Sequence, residues 1–170
     1  NVIATPMRTQ DSRFASNLML MLFDRNPNPR PAAALPVTQV DFTALSPDED
    51  VVVWLGHSSY YVQLNGKRIL IDPVFSTNAS PLPLTNLAFP GTSPYTADDM
   101  PPIDLLLVTH DHWDHLDYDS VKALLPKVGQ VVVGLGVGEF FDQCGYPADR
   151  IHEADWNEVL EPVAGLRVHV

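Results

Sequence analysis

The hydrophobic pattern of the chain changes at residue 51. Before that point the one strongly apolar run is 14–23 (FASNLMLMLF), which predicts a short helix for core or subunit contact. At ten residues it falls well short of the roughly 20 that span a bilayer. Prolines at 27, 29, 31 and 36 then predict an extended arm, because proline lacks a backbone donor and bars the preceding residue from the helical region. From Val51 short β-rich runs take over: VVVWL, then YYVQL, then KRILID. The pair Asn65-Gly66 separates the last two, and a type I′ turn needs positive φ at both central residues. Residues 60–64 and 67–72 are therefore predicted to pair antiparallel.

A proline-rich stretch from Pro73 to Pro102 follows, too long for an ordinary connection. Leu105 to Val108 reads as a strand buried on both faces, with Asp104 serving the turn before it. Asp117 or Asp119 is placed to cap a helix over 120–125, which Pro126 stops. Val131 to Val133 is another buried strand, and a helix over 139–143 is closed by Gly145. Strands are expected at 150–153 and 165–170. Strands first, then strand and helix in alternation, predict a layered α/β architecture.

Composition narrows the function classes. Hydrophobic residues at 45% against charged ones at 18% exclude a disordered acidic tail. The formal charge of −11 repels phosphate backbones, so nucleic acid is not an expected partner. The single cysteine, Cys144, has no internal disulfide partner. Residues 1–10 show neither the basic start nor the small-residue cleavage site of an export signal, which points to the cytoplasm, with periplasmic or membrane-associated sites as alternatives.

The chemistry is concentrated in His110-Asp111-His112-Trp113-Asp114-His115, directly after the strand that ends at Val108. Imidazole and carboxylate together suit zinc or another first-row divalent cation. In an extended backbone His110 and His112 point to the same side and can grip one ion. Asp114 and His115 then project toward a second position, as in two-metal sites.

HDHWDH resembles the HxHxDH signature of the metallo-β-lactamase fold superfamily. The flanking segments VVWLGHSSYYVQLNGKRILIDPVFS, PPIDLLLVTHDHWDHLDYDSVKAL, GLGVG and EADW resemble the branch that holds N-acylphosphatidylethanolamine-hydrolysing phospholipase D and the sugar-acid-phosphate lactonases. The resemblance implies an αββα sandwich of which this chain supplies about the first half, with 1–50 as helix and arm and 51–170 as the half-domain. It makes His110 and His112 ligands of one metal and Asp114 and His115 ligands of the other, the latter two also catalytic. The cofactors implied are two divalent ions, zinc first, with manganese or iron as alternatives. Two cations sharing a water supply a hydroxide nucleophile near neutral pH. The expected activity is hydrolysis of a phosphodiester such as an N-acyl phospholipid. The alternatives are a lactonase for a sugar-acid phosphate and a non-catalytic half-domain that binds metal or a partner subunit.

Asp72, at the end of ILIDP, is expected to orient a ligand imidazole or to cap the turn before Pro73, and His57 in LGHSS to contact substrate or pack within its loop. The remaining ligands would come from a complementary C-terminal half, in the same chain or a second one, and homo-oligomers are open to it. Trp156 is expected to pack between layers, and His152 and His169 to be ordinary hydrogen-bonded strand residues.

Overall fold

The computed structural model describes residues 30–170 except 81, 83–85 and 93; the helix expected at 14–23 lies outside the described residues. Residues 33–170 form a compact unit built on one sheet. Its strands are β1 (Val51–Gly56), β2 (Ser59–Leu64), β3 (Lys67–Ile71), β4 (Ile103–Val108), β5 (Val128–Gly134) and β6 (Ile151–Ala154), lying side by side in that order. The first three run antiparallel and β3 to β6 run parallel. Asn65 (φ 50°) and Gly66 (φ 73°) make the predicted hairpin turn, setting Tyr60 opposite Ile71 and Leu64 opposite Lys67.

Two helices, α1 (Tyr118–Leu124) and α2 (Gly138–Gln143), cover one face of the sheet. Beneath them Tyr61, Leu70, Leu106, Val131 and Val133 pack with Val121, Leu124, Phe141 and Tyr146. Phe42, from the segment before β1, is buried in the same core, its ring 4.7 Å from Tyr61 and 5.1 Å from Tyr95. On the opposite face Ile69, Leu105 and Val132 are covered by Leu160, Val163, Leu166 and Val168 of the hairpin β7 (Val159–Val163) and β8 (Leu166–His169). This two-stranded sheet starts a second layer over β4 and β5, as the layered fold requires. Among the described residues nothing covers that face over β1 and β2: Val52 and Trp54 are 66% and 62% exposed, with Leu64 and Tyr60 beside them.

Four sequence-based expectations need correction. Three strands follow residue 150 rather than two, because Glu161 and Pro162 interrupt the apolar run of β7 without stopping Leu160 and Val163 from reaching the sheet. Asp104 lies inside β4, where its carboxylate accepts the backbone N–H of Arg68 at 2.8 Å across to β3. Asp117 stands before α1, yet its carboxylate accepts from Ser76 and Ser120 rather than from free helix amides, tying the 73–102 segment to the helix. Trp156 is 83% exposed in the turn between β6 and β7 and packs between no layers among the described residues.

The 73–102 segment is ordered by a bridge between Asn78 and Leu87, by Tyr95 in the core, and by Lys127, whose ammonium donates to the carbonyls of Ala97, Asp98 and Met100. Among the described residues no helix is long and apolar enough to cross a membrane.

Candidate metal centre

Parallel strands bring the residues that follow them to one edge of a sheet, the usual place for a site in such folds. Here that edge gathers Asp72 after β3, Thr109 to His115 after β4, and the β1–β2 turn, because β2 runs antiparallel to β3 and starts where β3 ends. Ser59 at the start of β2 donates its hydroxyl to the Asp72 carbonyl at 2.6 Å and pins the two ends together.

Asp72 organises the centre. It is buried and takes a left-handed backbone (φ 43°), which turns its carboxylate along the sheet edge toward the motif loop. One oxygen accepts the backbone N–H of Thr109 at 2.7 Å; the other accepts the Thr109 hydroxyl at 2.7 Å and faces His115 Nδ1 at 2.8 Å. A carboxylate only accepts, so the His115 proton sits on Nδ1 and the Nε2 lone pair is free. The same logic reaches His110. The single Thr109 proton goes to Asp72, so the Thr109 oxygen, 3.0 Å from His110 Nδ1, accepts from it and leaves Nε2 of His110 free as well.

The motif loop is drawn into a tight turn by His115 N and Leu116 N, which both donate to the His112 carbonyl at 2.9 and 2.7 Å. Its rings pack closely, edge-on and tilted, His110 lying 4.5 Å from His112 and 3.9 Å from His115 between centroids. Asp114 Oδ2 is 3.9 Å from His115 Nε2 and 2.8 Å from His57 Nε2. Partial burial pushes the Asp114 carboxyl up, but the hydrogen bond from His57 and its own backbone amide, with a smaller electrostatic pull from the nearby imidazoles, outweigh that and hold it below the ordinary carboxylate range. Ser58 adds a bond from its hydroxyl to the Asp114 carbonyl at 3.1 Å.

The donor set fits a divalent first-row cation: ligand atoms of His57, Asp114 and His115 all lie within 4.8 Å of one another, and Asp72 orients the His115 ring with Nε2 toward them. His110 and His112 stand beside this trio and offer two further imidazoles. Sequence reasoning gave no role to Thr109 or Ser58. The available signal for Thr109 was a hydroxyl residue between a buried strand and the first ligand histidine. His152 bonds Gln130 at 2.7 Å across β5 and β6, and His169 lies on β8, so neither joins the centre.

Beside the motif loop an apolar trough of about 450 Å³ is lined by Asp111, Trp113, Leu116, Leu135, Gly136, Val137 and Phe140. A larger hollow of about 730 Å³ lies at the opposite end of the strands, around Arg68, Asp104, Lys127 and Arg150, far from the histidines. It is a shallow groove, and the Lys127 ammonium within it is committed to backbone carbonyls.

Residues 67–170 match the family described as Beta-lactamase superfamily domain. An uncharacterized protein of Mycobacterium tuberculosis is 33% identical over 159 residues, which are 93% of this chain and 43% of that protein. An N-acyl-phosphatidylethanolamine-hydrolyzing phospholipase D of Caenorhabditis elegans is 35% identical over 116 residues, 64% of this chain and 32% of the enzyme. Among solved structures, CmlA, a diiron beta-hydroxylase from Streptomyces venezuelae, superposes with a TM-score of 0.52 at 30% identity, over 68% of this chain and 22% of its own. The chain thus spans less than half the length of each of these relatives.

Proposed function

This chain belongs to the Beta-lactamase superfamily domain family, and from that premise we propose that it is part of a metal-dependent hydrolase whose substrate is a phosphodiester carrying an apolar acyl group, such as an N-acyl phospholipid. The observation that carries the metal-dependent reading is the buried Asp72 carboxylate. It holds His115, directly and through Thr109 also His110, with the Nε2 lone pairs free at one sheet edge. In our reading His110 and His112 hold one divalent cation and Asp114 and His115 the other. When bound, such cations would lower the pKa of a coordinated water toward neutrality and polarise the ester oxygen under attack.

The chain's own residues do the rest. Asp72 and Thr109 keep the imidazoles oriented, and Asp114 holds a charge-bearing oxygen over the reacting position. The trough lined by Trp113, Leu116, Leu135 and Phe140 takes up an acyl chain and keeps water from it. That lining includes no cationic side chain, which favours a lipid ester over a sugar-acid phosphate. The name of the Caenorhabditis elegans relative supports the same substrate class. Zinc is the proposed metal, and the diiron description of the Streptomyces venezuelae neighbour supports iron as the alternative.

The open face around Val52 and Trp54 supports a further proposal, that additional β-structure, from the same chain or a second one, covers it and brings the remaining ligands. The test is a phosphodiester screen beside a phosphate-free lactone screen on the full-length protein, with His110→Ala and Asp114→Ala in parallel. Phosphodiester turnover that disappears together with bound metal in both variants is expected. Turnover and metal content unchanged by both substitutions would overturn the reading, lactone turnover alone would replace the substrate class, and metal uptake without turnover of either would favour a binding role.

A further inference from the structure

The two-residue β1–β2 turn places a side chain where hairpin turns usually carry glycine or asparagine. His57 has φ 44°, a left-handed conformation that a side chain with a Cβ enters at a cost. Its neighbour Gly56 has φ 114° and fits so tightly that a Cβ there would lie 2.1 Å from the Thr92 carbonyl oxygen. The turn is also locked from both sides: Trp54 Nε1 donates to the His57 carbonyl at 2.8 Å, and the Ser58 hydroxyl bonds the Asp114 carbonyl at 3.1 Å. Packing of the His57 ring does not account for this expense, because the side chain is 60% exposed. What the conformation achieves is to deliver the imidazole to Asp114 Oδ2, at 2.8 Å, with its centroid 5.7 Å from the ring of His115.

We propose that His57 is a ligand of the same divalent cation as Asp114 and His115, contributed from outside the histidine-rich motif. The inference rests on the metal-dependent reading above and adds a residue to it. Donor atoms of the three side chains lie within 4.8 Å of one another, a spread that bonds of about 2.0–2.1 Å from imidazole and carboxylate to one ion can close with small side-chain movements. With His57 the second position holds three protein donors from this chain, the number at which catalytic metal sites become common, whereas Asp114 and His115 alone supply two. The left-handed backbone, the glycine before it and the two clamps hold the His57 ring against Asp114, one of them, Ser58, by bonding the motif loop itself.

The experiment uses the full-length protein loaded with zinc or cobalt(II), comparing wild type with His57→Asn and His57→Cys. Asparagine still donates a hydrogen bond to Asp114 but is a poor ligand, so zinc affinity measured against a chromophoric chelator should fall about tenfold or more. Cysteine is a good ligand, so His57→Cys should keep tight binding and gain a sulfur-to-cobalt charge-transfer band in the near ultraviolet that wild type lacks. Circular dichroism reports whether each variant folds. Wild-type zinc affinity in folded His57→Asn, or no charge-transfer band in folded, cobalt-loaded His57→Cys, would overturn the assignment and leave the hydrolase reading standing. Failure of the wild type to hold any divalent ion would overturn the hydrolase reading itself.

Discussion

Asp72 Oδ2 meets His115 Nδ1 at 2.8 Å although the two lie 43 positions apart in the sequence, joining the end of β3 to the last histidine of the motif that follows β4. Carboxylate–imidazole pairs of this kind fix the orientation and tautomer of a metal-ligating histidine, and their loss typically costs 10–100-fold in metal affinity. Asp72→Ala is therefore expected to weaken zinc binding by about that factor. It also leaves the Thr109 amide without its acceptor inside the protein, at about 1–3 kcal/mol. A chelator competition titration and a denaturant unfolding curve measure the two effects separately; unchanged affinity would mean that Asp72 serves only the turn before Pro73.

Gly56 lies where no other residue fits. A Cβ would overlap the Thr92 carbonyl oxygen at 2.1 Å, and the φ of 114° is outside the range that L side chains adopt. Gly56→Ala should destabilise the fold by more than the ~1 kcal/mol of an ordinary misplaced alanine. Because His57 is the next residue, metal affinity should fall in the same variant. Unfolding midpoints and zinc titration together check this, and a neutral substitution would show that the turn is free to move.

Acid should loosen the 73–102 segment through Asp99. The backbone N–H and then the hydroxyl of Thr96, at 2.7 and 2.8 Å, favour the ionised carboxylate and lower its pKa, with a smaller contribution from Lys127. A carboxyl with a depressed folded-state pKa contributes stability above its unfolded value, near 3.9, and loses it as pH falls through the lower folded value. Since Asp99 is exposed, solvent screens the effect and it should be small. The wild type is expected to lose more stability than Asp99→Asn between about pH 5 and pH 2; parallel slopes in acid unfolding curves would show that this capping contact contributes nothing.

The open face over β1 and β2 should make the 170-residue chain associate when it is produced alone. Val52 and Trp54 present contiguous apolar surface on a sheet that has no second layer at that position among the described residues. Light scattering is expected to show assemblies, and Trp54→Ser together with Val52→Ser to reduce them. A monodisperse chain that unfolds cooperatively would overturn this expectation.

The strands, the Asn65-Gly66 hairpin and the cluster from His110 to His115 were legible because each is a local pattern. Alternating or continuous apolar runs mark β-structure, positive φ at two turn residues requires asparagine and glycine, and histidines two apart share one side of an extended chain. β7 was not legible, since a proline and a glutamate hide a strand whose apolar residues are buried only by packing on β4 and β5. The exposure of Trp156 was equally hidden, because an aromatic side chain reads the same in sequence whether a layer covers it or not.

The sequence by itself thus determined the kind of chemistry: which side chains can bind a cation, and that they follow a buried strand. Only the tertiary structure decided how they are used. Strand order and register bring Asp72 and His57 to one edge from positions 37 and 57 residues away from their partners Thr109 and Asp114, within 3 Å for both contacts. A hydrogen bond does not depend on the length of chain between its partners, so such contacts leave no periodic trace in the sequence; they exist because β2 turns back beside β3 and β4 lies parallel to it.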